Sequence, residues 1–235
     1  MIDLNSLILT KNPHLEQLFI ENTPNLQVID IIGCTALQQI LIRCQSLQQL
    51  KIGYLANLSH LILDTKCITE LDTNDFPNLK SCNIRSPELV SITFPEDNKI
   101  EEITLDCPSL KNYSEIRKCT SLQILKLVNI TTPSFVFELS VDTGPLMELS
   151  ISSDILTNLV ILTASNIRKF ELNCPILTDL ELYRFCSTLS STKHLVISIQ
   201  CPQLKQTRVR GHFSRWFSKY FPNVKDLDDD EESDE

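Results

Sequence analysis

Apolar and polar residues alternate along the chain in a short template, L-x-x-L-x-L, in which Ile, Val, Phe or Cys also stands at the apolar positions. The segments LQQILI at Leu37 and LQQLKI at Leu47 show it most clearly. The template returns every ten to twelve residues, so a coil of about 21 residues contains two copies. Copies begin at Leu4, Leu15, Leu26, Leu37, Leu47, Leu58, Ile68, Leu79, Leu89, Ile100, Leu110, Leu122, Leu146, Leu156, Ile167, Leu177, Leu204 and Val224.

The spacing of the last two apolar positions is typical of β-strands, because side chains alternate between the two faces of a strand. Each half-coil is shorter than a typical helix, rich in β-branched residues and interrupted by proline. We therefore predict a mainly β repeat solenoid, with two short parallel strands per coil and one strand on each of two faces.

Proline and cysteine repeat in register with the template. Proline cannot donate to a sheet ladder, so it belongs in the turn before each strand. Cysteine is small and a weak donor, which suits a tight inward corner where backbone groups need partners. Proline stands two residues before the first template position at Pro13, Pro24, Pro77, Pro87, Pro108, Pro175, Pro202 and Pro222. Cysteine stands three residues before it at Cys34, Cys44, Cys107, Cys119, Cys174 and Cys201.

These segments resemble the leucine-rich repeat family, whose pattern L-x-x-L-x-L-x-x-N/C-x-L is matched by LQVIDIIGCTAL from Leu26 to Leu37. The variant CPILTDLEL looks like the repeats of F-box leucine-rich proteins and plant immune receptors. The resemblance implies a leucine-rich repeat stack and a binding role without fixing the partner. The period differs from the family, which places one strand and one helical segment in 20 to 29 residues.

The residue between the last two apolar positions points out of the sheet, so each series of copies predicts one surface row. The series beginning at Leu4 gives Ile8, Asp30, Lys51, Asp72, Thr93, Ser114, Val160, Glu181 and Arg208, a mostly polar face. The series beginning at Leu15 gives Phe19, Leu41, Ile62, Asn83, Thr104, Lys126, Ser150 and Glu171.

Phe19, Leu41 and Ile62 place three large apolar groups side by side in consecutive coils. A contiguous apolar strip on a rigid sheet is typical of a binding surface. We predict that these residues contact a partner protein, with Gln39 and His60 flanking them. Two alternatives stay open: surface hydrophobics that follow β-propensity alone, or a strip covered by an N-terminal segment.

The two ends of the repeat array differ. The first copy begins at Leu4 with no capping element before it, which favours either a longer chain or an end covered by a partner, because solenoid ends need a polar cap. Near the other end, Phe213, Trp216, Phe217 and Tyr220 fall at helical spacing. We predict a C-terminal capping helix there. The expected domains are a solenoid at 1–210, a cap at 211–227 and a disordered acidic tail at 228–235.

Between the copies at Leu122 and Leu146 the pattern is irregular. We predict a divergent strand in FVFELSV and a tight turn at Gly144-Pro145.

Charge and composition place the protein among ordinary globular chains. It has 235 residues, 42% of them hydrophobic, and a net charge of −9 that is concentrated after residue 225. No apolar run is long enough for a membrane helix and no signal peptide is recognisable. With nine cysteines, an odd number, we expect reduced thiols and an intracellular protein, cytoplasmic or nuclear, with no membrane partner.

The sequence offers no constellation for catalysis, a cofactor or a metal. His14, His60, His194 and His212 lie beside no cysteine or carboxylate in a nucleophile or ligand pattern, and no C-x-x-C occurs. A basic and aromatic run from Arg208 to Lys219 would suit nucleic acid, but a cap explains its aromatics more simply and the adjacent acids oppose phosphate. Nucleic acid is therefore not the expected partner.

We accordingly expect a non-enzymatic protein–protein interaction scaffold. A second hypothesis is that the chain is the substrate-recognition segment of a larger ubiquitin-ligase or immune-receptor-like protein, as the C-P-x-L repeats imply. A third rests on PNVKDLDD, which resembles the C-terminal cap of nuclear acidic leucine-rich phosphoproteins. That resemblance implies that the tail from Asp226 to Glu235 binds a basic protein such as a histone, in a salt-sensitive way. The alternative is that the tail only aids solubility.

Overall fold

A computed structural model describes residues 4–137, 145–162, 166–183, 195–209 and 225–226 of the chain. The chain divides into two compact units, Met1–Ser121 and Leu122–Glu235. Both are β-solenoids built from parallel strands that recur about 21 residues apart. The predicted mainly β repeat architecture is therefore confirmed.

The described residues of the N-terminal unit form ten short strands and two 3₁₀ helices. The strands are β1 (Ser6–Ile8), β2 (Gln17–Glu21), β3 (Val28–Asp30), β4 (Gln39–Arg43), β5 (Gln49–Lys51), β6 (His60–Asp64), β7 (Glu70–Asp72), β8 (Ser81–Arg85), β9 (Ser91–Thr93) and β10 (Glu102–Asp106). The 3₁₀ helices are η1 (Thr73–Asp75) and η2 (Ser114–Lys118).

Three parallel sheets form this unit. The longest, which we call the main sheet, pairs β2, β4, β6, β8 and β10 in that order. On the other half of the coils, β1, β3 and β5 form one sheet, and β7 and β9 form another. Where a coil contains two strands, they belong to different sheets, as the two-copy period predicts.

The alternation of side chains explains how these strands make a core. In β4, Ile40 and Ile42 are buried, whereas Gln39 and Leu41, which alternate with them, face outward. The same inward positions of the neighbouring coils hold Leu18 and Leu61. Burial of aliphatic side chains coil upon coil supplies the main stabilisation, about 1.5–3 kcal/mol for each fully buried side chain.

The first coil exposes more of its apolar side chains to solvent than the second coil does. Leu4 is 43% exposed, while Leu26, which holds the same template position one coil later, is fully buried. Ile8 is likewise exposed. Stacking on both sides, which the inner coils have, is what buries these template positions.

Proline takes the place that the sequence predicts for it. In the turn Thr23-Pro24-Asn25-Leu26, the N–H of Leu26 donates to the carbonyl of Thr23 at 3.3 Å, so proline is the second residue of the turn. That position favours the fixed φ of proline and requires no N–H from it. Leu89 and Leu110 close equivalent turns around Pro87 and Pro108.

Cysteine and its hydroxyl substitutes occupy inward corners, where they satisfy backbone carbonyls of the preceding coil. The thiol of Cys34 donates to Leu9 O at 2.9 Å, and that of Cys44 donates to Leu26 O at 3.3 Å. Ser86 takes the same role toward Ile68 O at 3.0 Å. The corner interpretation of the cysteine pattern is confirmed for these residues, since each donor pairs a carbonyl that the turn leaves free.

The described residues of the C-terminal unit form nine strands in two parallel sheets. They are β11 (Ile124–Val128), β12 (Ser134–Phe137), β13 (Glu148–Ser152), β14 (Asn158–Ile161), β15 (Lys169–Asn173), β16 (Asp179–Leu182), β17 (Val196–Gln200), β18 (Gln206–Val209) and β19 (Lys225–Asp226). One sheet pairs β11, β13, β15 and β17. The other pairs β12, β14, β16, β18 and β19.

One predicted strand position and the continuity of one predicted row are wrong. The degraded copy at Leu110 contains no strand: Ser114 begins η2, because Glu115 stands where the template needs its last apolar residue. The row through Lys51 and Asp72 is also interrupted, since β5 and β7 belong to different sheets. At that copy Thr73 replaces the last apolar residue, and the chain turns into η1, which the Asp72 side chain caps.

One strand has no counterpart among the predicted copies, and one irregular segment matches its prediction in part. Strand β17 was missed because His194 stands at its first template position. The predicted strand in FVFELSV is confirmed for its first three residues, within β12. The rest of that segment and Gly144 of the predicted turn lie outside the described residues.

The predicted capping helix at Phe213, Trp216, Phe217 and Tyr220 and the acidic tail at 228–235 also lie outside the described residues. Of the predicted cap, 211–227, only β19 is described, and it pairs with β18. Among the residues with described structure, no helix has the length and apolar character needed to cross a membrane.

Candidate functional site

Phe19, Leu41 and Ile62 lie next to one another on the outer face of the main sheet. Phe19 pairs in register with Leu41, and Leu41 with Ile62. We call these three residues the apolar strip. With neighbouring strands about 4.8 Å apart, the strip extends roughly 10 Å across three strands.

Exposure falls along the apolar strip. Phe19 is 59% exposed, because β2 is the terminal strand of the sheet and has a neighbour on one side only. Leu41 and Ile62 are half-buried between strands on both sides. Further along the same row come Asn83 and Thr104, so the apolar character ends after the third coil.

A polar row borders the strip on one side. Gln17, Gln39 and His60 stand in register there, two residues before the strip residue of each strand. His60 is exposed, and its Nδ1 lies 2.7 Å from the hydroxyl of Ser59. The structure thus brings together all five residues that the sequence analysis singles out for binding.

A row of alternating charge, which we call the charged row, borders the strip on the other side. It consists of Glu21, Arg43, Asp64, Arg85 and Asp106, one from each strand of the main sheet. Arg43 and Glu21 form an ion pair at 2.7 Å, and Arg85 and Asp106 form one at 3.2 Å. Such exposed pairs contribute at most about 1 kcal/mol each, but alternation leaves no block of one sign beside the strip.

The opposite side of the N-terminal unit is more polar. Asp30 and Lys51 pair across β3 and β5 with their charged atoms 3.7 Å apart, next to the exposed Ile8. Where β5 and β7 fail to pair, a cleft of about 180 Å³ opens, which the sequence pattern does not predict. Its walls comprise Leu50, Ile52, Ile68, Glu70, Leu71, Asp72, Asp75 and Phe76.

Asp72 in this cleft has its hydrogen bonds satisfied by protein groups. The backbone N–H of Asn74 and the hydroxyl of Thr93 donate to its carboxylate and hold the pKa of Asp72 below its usual value. Its role is to end β7 and cap η1. Asp72 therefore has a structural explanation in the turn that separates the two sheets.

No strip of large apolar groups occurs on the two described faces of the C-terminal unit. The row of Lys126, Ser150 and Glu171 is polar as predicted, and Ser198 extends it. On the other sheet, Val136 and Val160 lead into Glu181 and Arg208, whose charged atoms are 3.8 Å apart. Val136 and Ser198 were missed in the sequence because their copies depart from the template.

Two buried thiols of the N-terminal unit, those of Cys107 and Cys119, have low reactivity. Burial raises the pKa of Cys107 to about 11 and that of Cys119 to about 12, so both are protonated near neutral pH and are poor nucleophiles. Within the described parts of the chain, no three potential metal-ligating side chains cluster. The site therefore offers a partner an apolar contact surface between a polar row and a charged row.

Comparisons with family models, with curated proteins and with solved structures find no significant match to this chain.

Proposed function

We propose that this protein is a non-enzymatic scaffold that binds another protein through the apolar strip and its two bordering rows. The observation that carries the proposal is the register of Phe19, Leu41 and Ile62 on three adjacent strands. Among the outward rows of the main sheet, this one combines large apolar groups in consecutive coils with borders that are polar.

The backbone that presents the strip supports tight binding. Its strands are fixed by parallel pairing on an inner face that is fully packed, so little conformational freedom is lost when a partner docks. Phe19 supplies the largest exposed apolar surface and is the expected energetic centre, since aromatic anchors dominate protein interfaces. Leu41 and Ile62 extend the contact inward along the row.

The chemistry of the partner follows from the borders. Gln39 and His60 offer hydrogen bonds on one side, and Arg43 and Glu21 offer a paired positive and negative charge on the other. A partner segment with apolar side chains at its centre and uncharged polar groups at its edges fits this surface. A strongly acidic or basic partner gains little, because the charges beside the strip are already paired.

We also propose that the chain is a leucine-rich repeat protein with unusually short, two-stranded coils. The L-x-x-L-x-L template, the corner cysteines and the parallel stacking support this assignment. The cysteines further support a reducing, intracellular location, cytoplasmic or nuclear: eight described cysteines are free thiols, and six of them are buried.

Co-purification with a double variant of the strip tests the proposed function. Phe19→Asp with Leu41→Asp is expected to reduce recovery of the specific partner at least tenfold, since charging a hydrophobic interface centre costs about 2 kcal/mol or more. The matched control is Tyr54→Asp with Val90→Asp, which places the same charge on two exposed side chains of the same unit, at 58% and 53% exposure.

The control pair should leave recovery unchanged, and circular dichroism should show that both double variants are folded. Equal loss of the partner from the two double variants would remove the strip from the mechanism. An unchanged partner set for the strip variant would contradict the proposed function itself.

A further inference from the structure

Two cysteines occupy the same corner of two successive coils in the C-terminal unit. Cys174 and Cys201 each begin a C-P-x-L turn, one after β15 and the other after β17. In both turns the leucine N–H donates to the cysteine carbonyl, at 3.1 Å from Leu177 and at 3.1 Å from Leu204. The two turns therefore place their cysteine side chains in equivalent positions.

The pairing of β15 and β17 brings these cysteines together. Asn173 pairs in register with Gln200, immediately before the two cysteines, and the N–H of Cys174 donates to Gln200 O at 3.3 Å. The two thiols lie close enough for each to shift the pKa of the other. Parallel neighbours about 4.8 Å apart lie within the Cα separation of roughly 4.4–6.8 Å that a disulfide spans.

The corresponding corners of other described coils carry hydroxyl residues beside each cysteine. The residue that directly follows the strand changes from Cys44 to Thr65 in one pair of successive coils. It changes from Ser86 to Cys107 in another pair, and from Ser153 to Cys174 in a third. A hydroxyl is sufficient for the structural task, because Ser153 donates to Ile130 O as the cysteines do to their carbonyls. Two cysteines in succession are therefore not required by the fold.

We propose that Cys174 and Cys201 form a redox-responsive dithiol, which a small-molecule disulfide such as oxidised glutathione converts into an intramolecular disulfide. This site is independent of the apolar strip and of the proposed binding function. Its product would be a covalent link between two successive coils of the C-terminal unit.

The chemistry proceeds by two thiol–disulfide exchanges. The Cys201 thiolate attacks one sulfur of oxidised glutathione, forms a mixed disulfide and releases one glutathione thiolate. Cys174 then attacks the Cys201 sulfur while its proton passes to the departing glutathione sulfur, which forms the Cys174–Cys201 bond and releases the second glutathione as a thiol. Two protein thiols are oxidised and one glutathione disulfide is reduced to two thiols, which balances the electrons.

Exposure and hydrogen bonding assign the order of these steps. Cys201 is partly exposed, whereas Cys174 is fully buried, so an external disulfide reaches Cys201 first. The hydrogen bond from the Cys174 thiol lowers the pKa of Cys201, while the same contact together with burial raises the pKa of Cys174. Cys201 is thus the attacking thiol and Cys174 the resolving one.

Peptide mapping of the full-length protein after incubation with oxidised glutathione tests the proposal. Trypsin places Cys174, Cys186 and Cys201 in the separate peptides 170–184, 185–193 and 194–205. The expected main product of the folded protein is a reductant-sensitive link between peptides 170–184 and 194–205. Protein unfolded in urea should show no preference for this link. The oxidised protein should also melt at a higher temperature than the reduced one, because the bond restricts the unfolded chain.

Cys201→Ser should abolish this link, and Cys107→Ser, which changes a buried corner thiol in the N-terminal unit, should leave it intact. The wild-type comparison of reduced and oxidised protein requires no variant, so a poorly folded variant does not prevent a decision. Three results would overturn the proposal: both thiols stay free, Cys201 stops at the glutathione adduct, or the link joins Cys186 in place of Cys174.

Discussion

Replacing Ile42 by aspartate is expected to abolish cooperative folding of the N-terminal unit, while the same replacement at Leu41 leaves the unit folded. The Ile42 side chain is fully buried and lies in register between Ile20 and Leu63 of the neighbouring strands. An unpaired buried carboxylate costs several kcal/mol, which approaches the total stability of a typical domain, about 5–15 kcal/mol.

Leu41 provides the matched control, because it precedes Ile42 in the same strand and its side chain points to the opposite face. Urea denaturation followed by far-ultraviolet circular dichroism of the full-length protein gives the measurement. The wild type and Leu41→Asp should show the same cooperative transitions, and Ile42→Asp should lose the transition of the N-terminal unit. A reversed outcome would mean that β4 is paired one residue out of register, since such a slip exchanges the two faces.

Truncation of Phe170 to alanine is expected to cost about 3–5 kcal/mol, whereas truncation of Phe19 costs less than about 1 kcal/mol. Phe170 is fully buried in β15, in register with Leu149 and Ile197, so its removal leaves a cavity. Phe19 is mostly exposed, and its removal leaves none. Both variants replace phenylalanine by alanine, so the difference between their losses in unfolding free energy reports the difference in burial.

Denaturant midpoints of the two phenylalanine variants measure these costs. A small cost at Phe19 means that the residue is dispensable for folding, so that the proposed binding role explains why a large apolar side chain stands at this exposed position. A cost at Phe19 comparable with that at Phe170 would make it a structural residue and would weaken the case for the apolar strip.

The template predicted the repeat itself and the placement of the apolar strip. Two apolar residues at alternate positions fix which side chains of a strand point inward, and the constant spacing of copies fixes which strands are neighbours. The pairing of Leu41 with Phe19 and Ile62 follows directly from these two rules. The register of proline with the template also predicted that Pro24 and Pro87 lie in the turns before the strands.

The template did not predict features that depend on a single residue within a copy. Thr73 at an apolar position accompanies the separation of β5 from β7, and the polar end of the copy at Leu110 becomes η2. The graded exposure of the strip was also not predictable, because it depends on how many strands flank each residue. Leu41 is half-buried for this reason, although its template position is the same as that of Phe19.

The separation of Cys174 and Cys201 in the sequence did not predict that the two residues lie close together. The two residues share a template position, but they are farther apart in the sequence than one coil of about 21 residues. The copy that makes them neighbours begins at His194 and departs from the apolar template. Only the pairing of β15 with β17 reveals that they follow each other directly on one corner.

Site-specific photo-crosslinking in cells tests the central claim most directly, that a partner protein docks on the apolar strip. Benzoylphenylalanine at position 19 replaces one exposed aromatic residue by another, and the same group at position 54 replaces the exposed Tyr54 as the control. The account predicts a discrete adduct from position 19 that disappears when Leu41→Asp is added, and no such adduct from position 54. An adduct at position 19 that survives Leu41→Asp, or the same adducts from both positions, would contradict it.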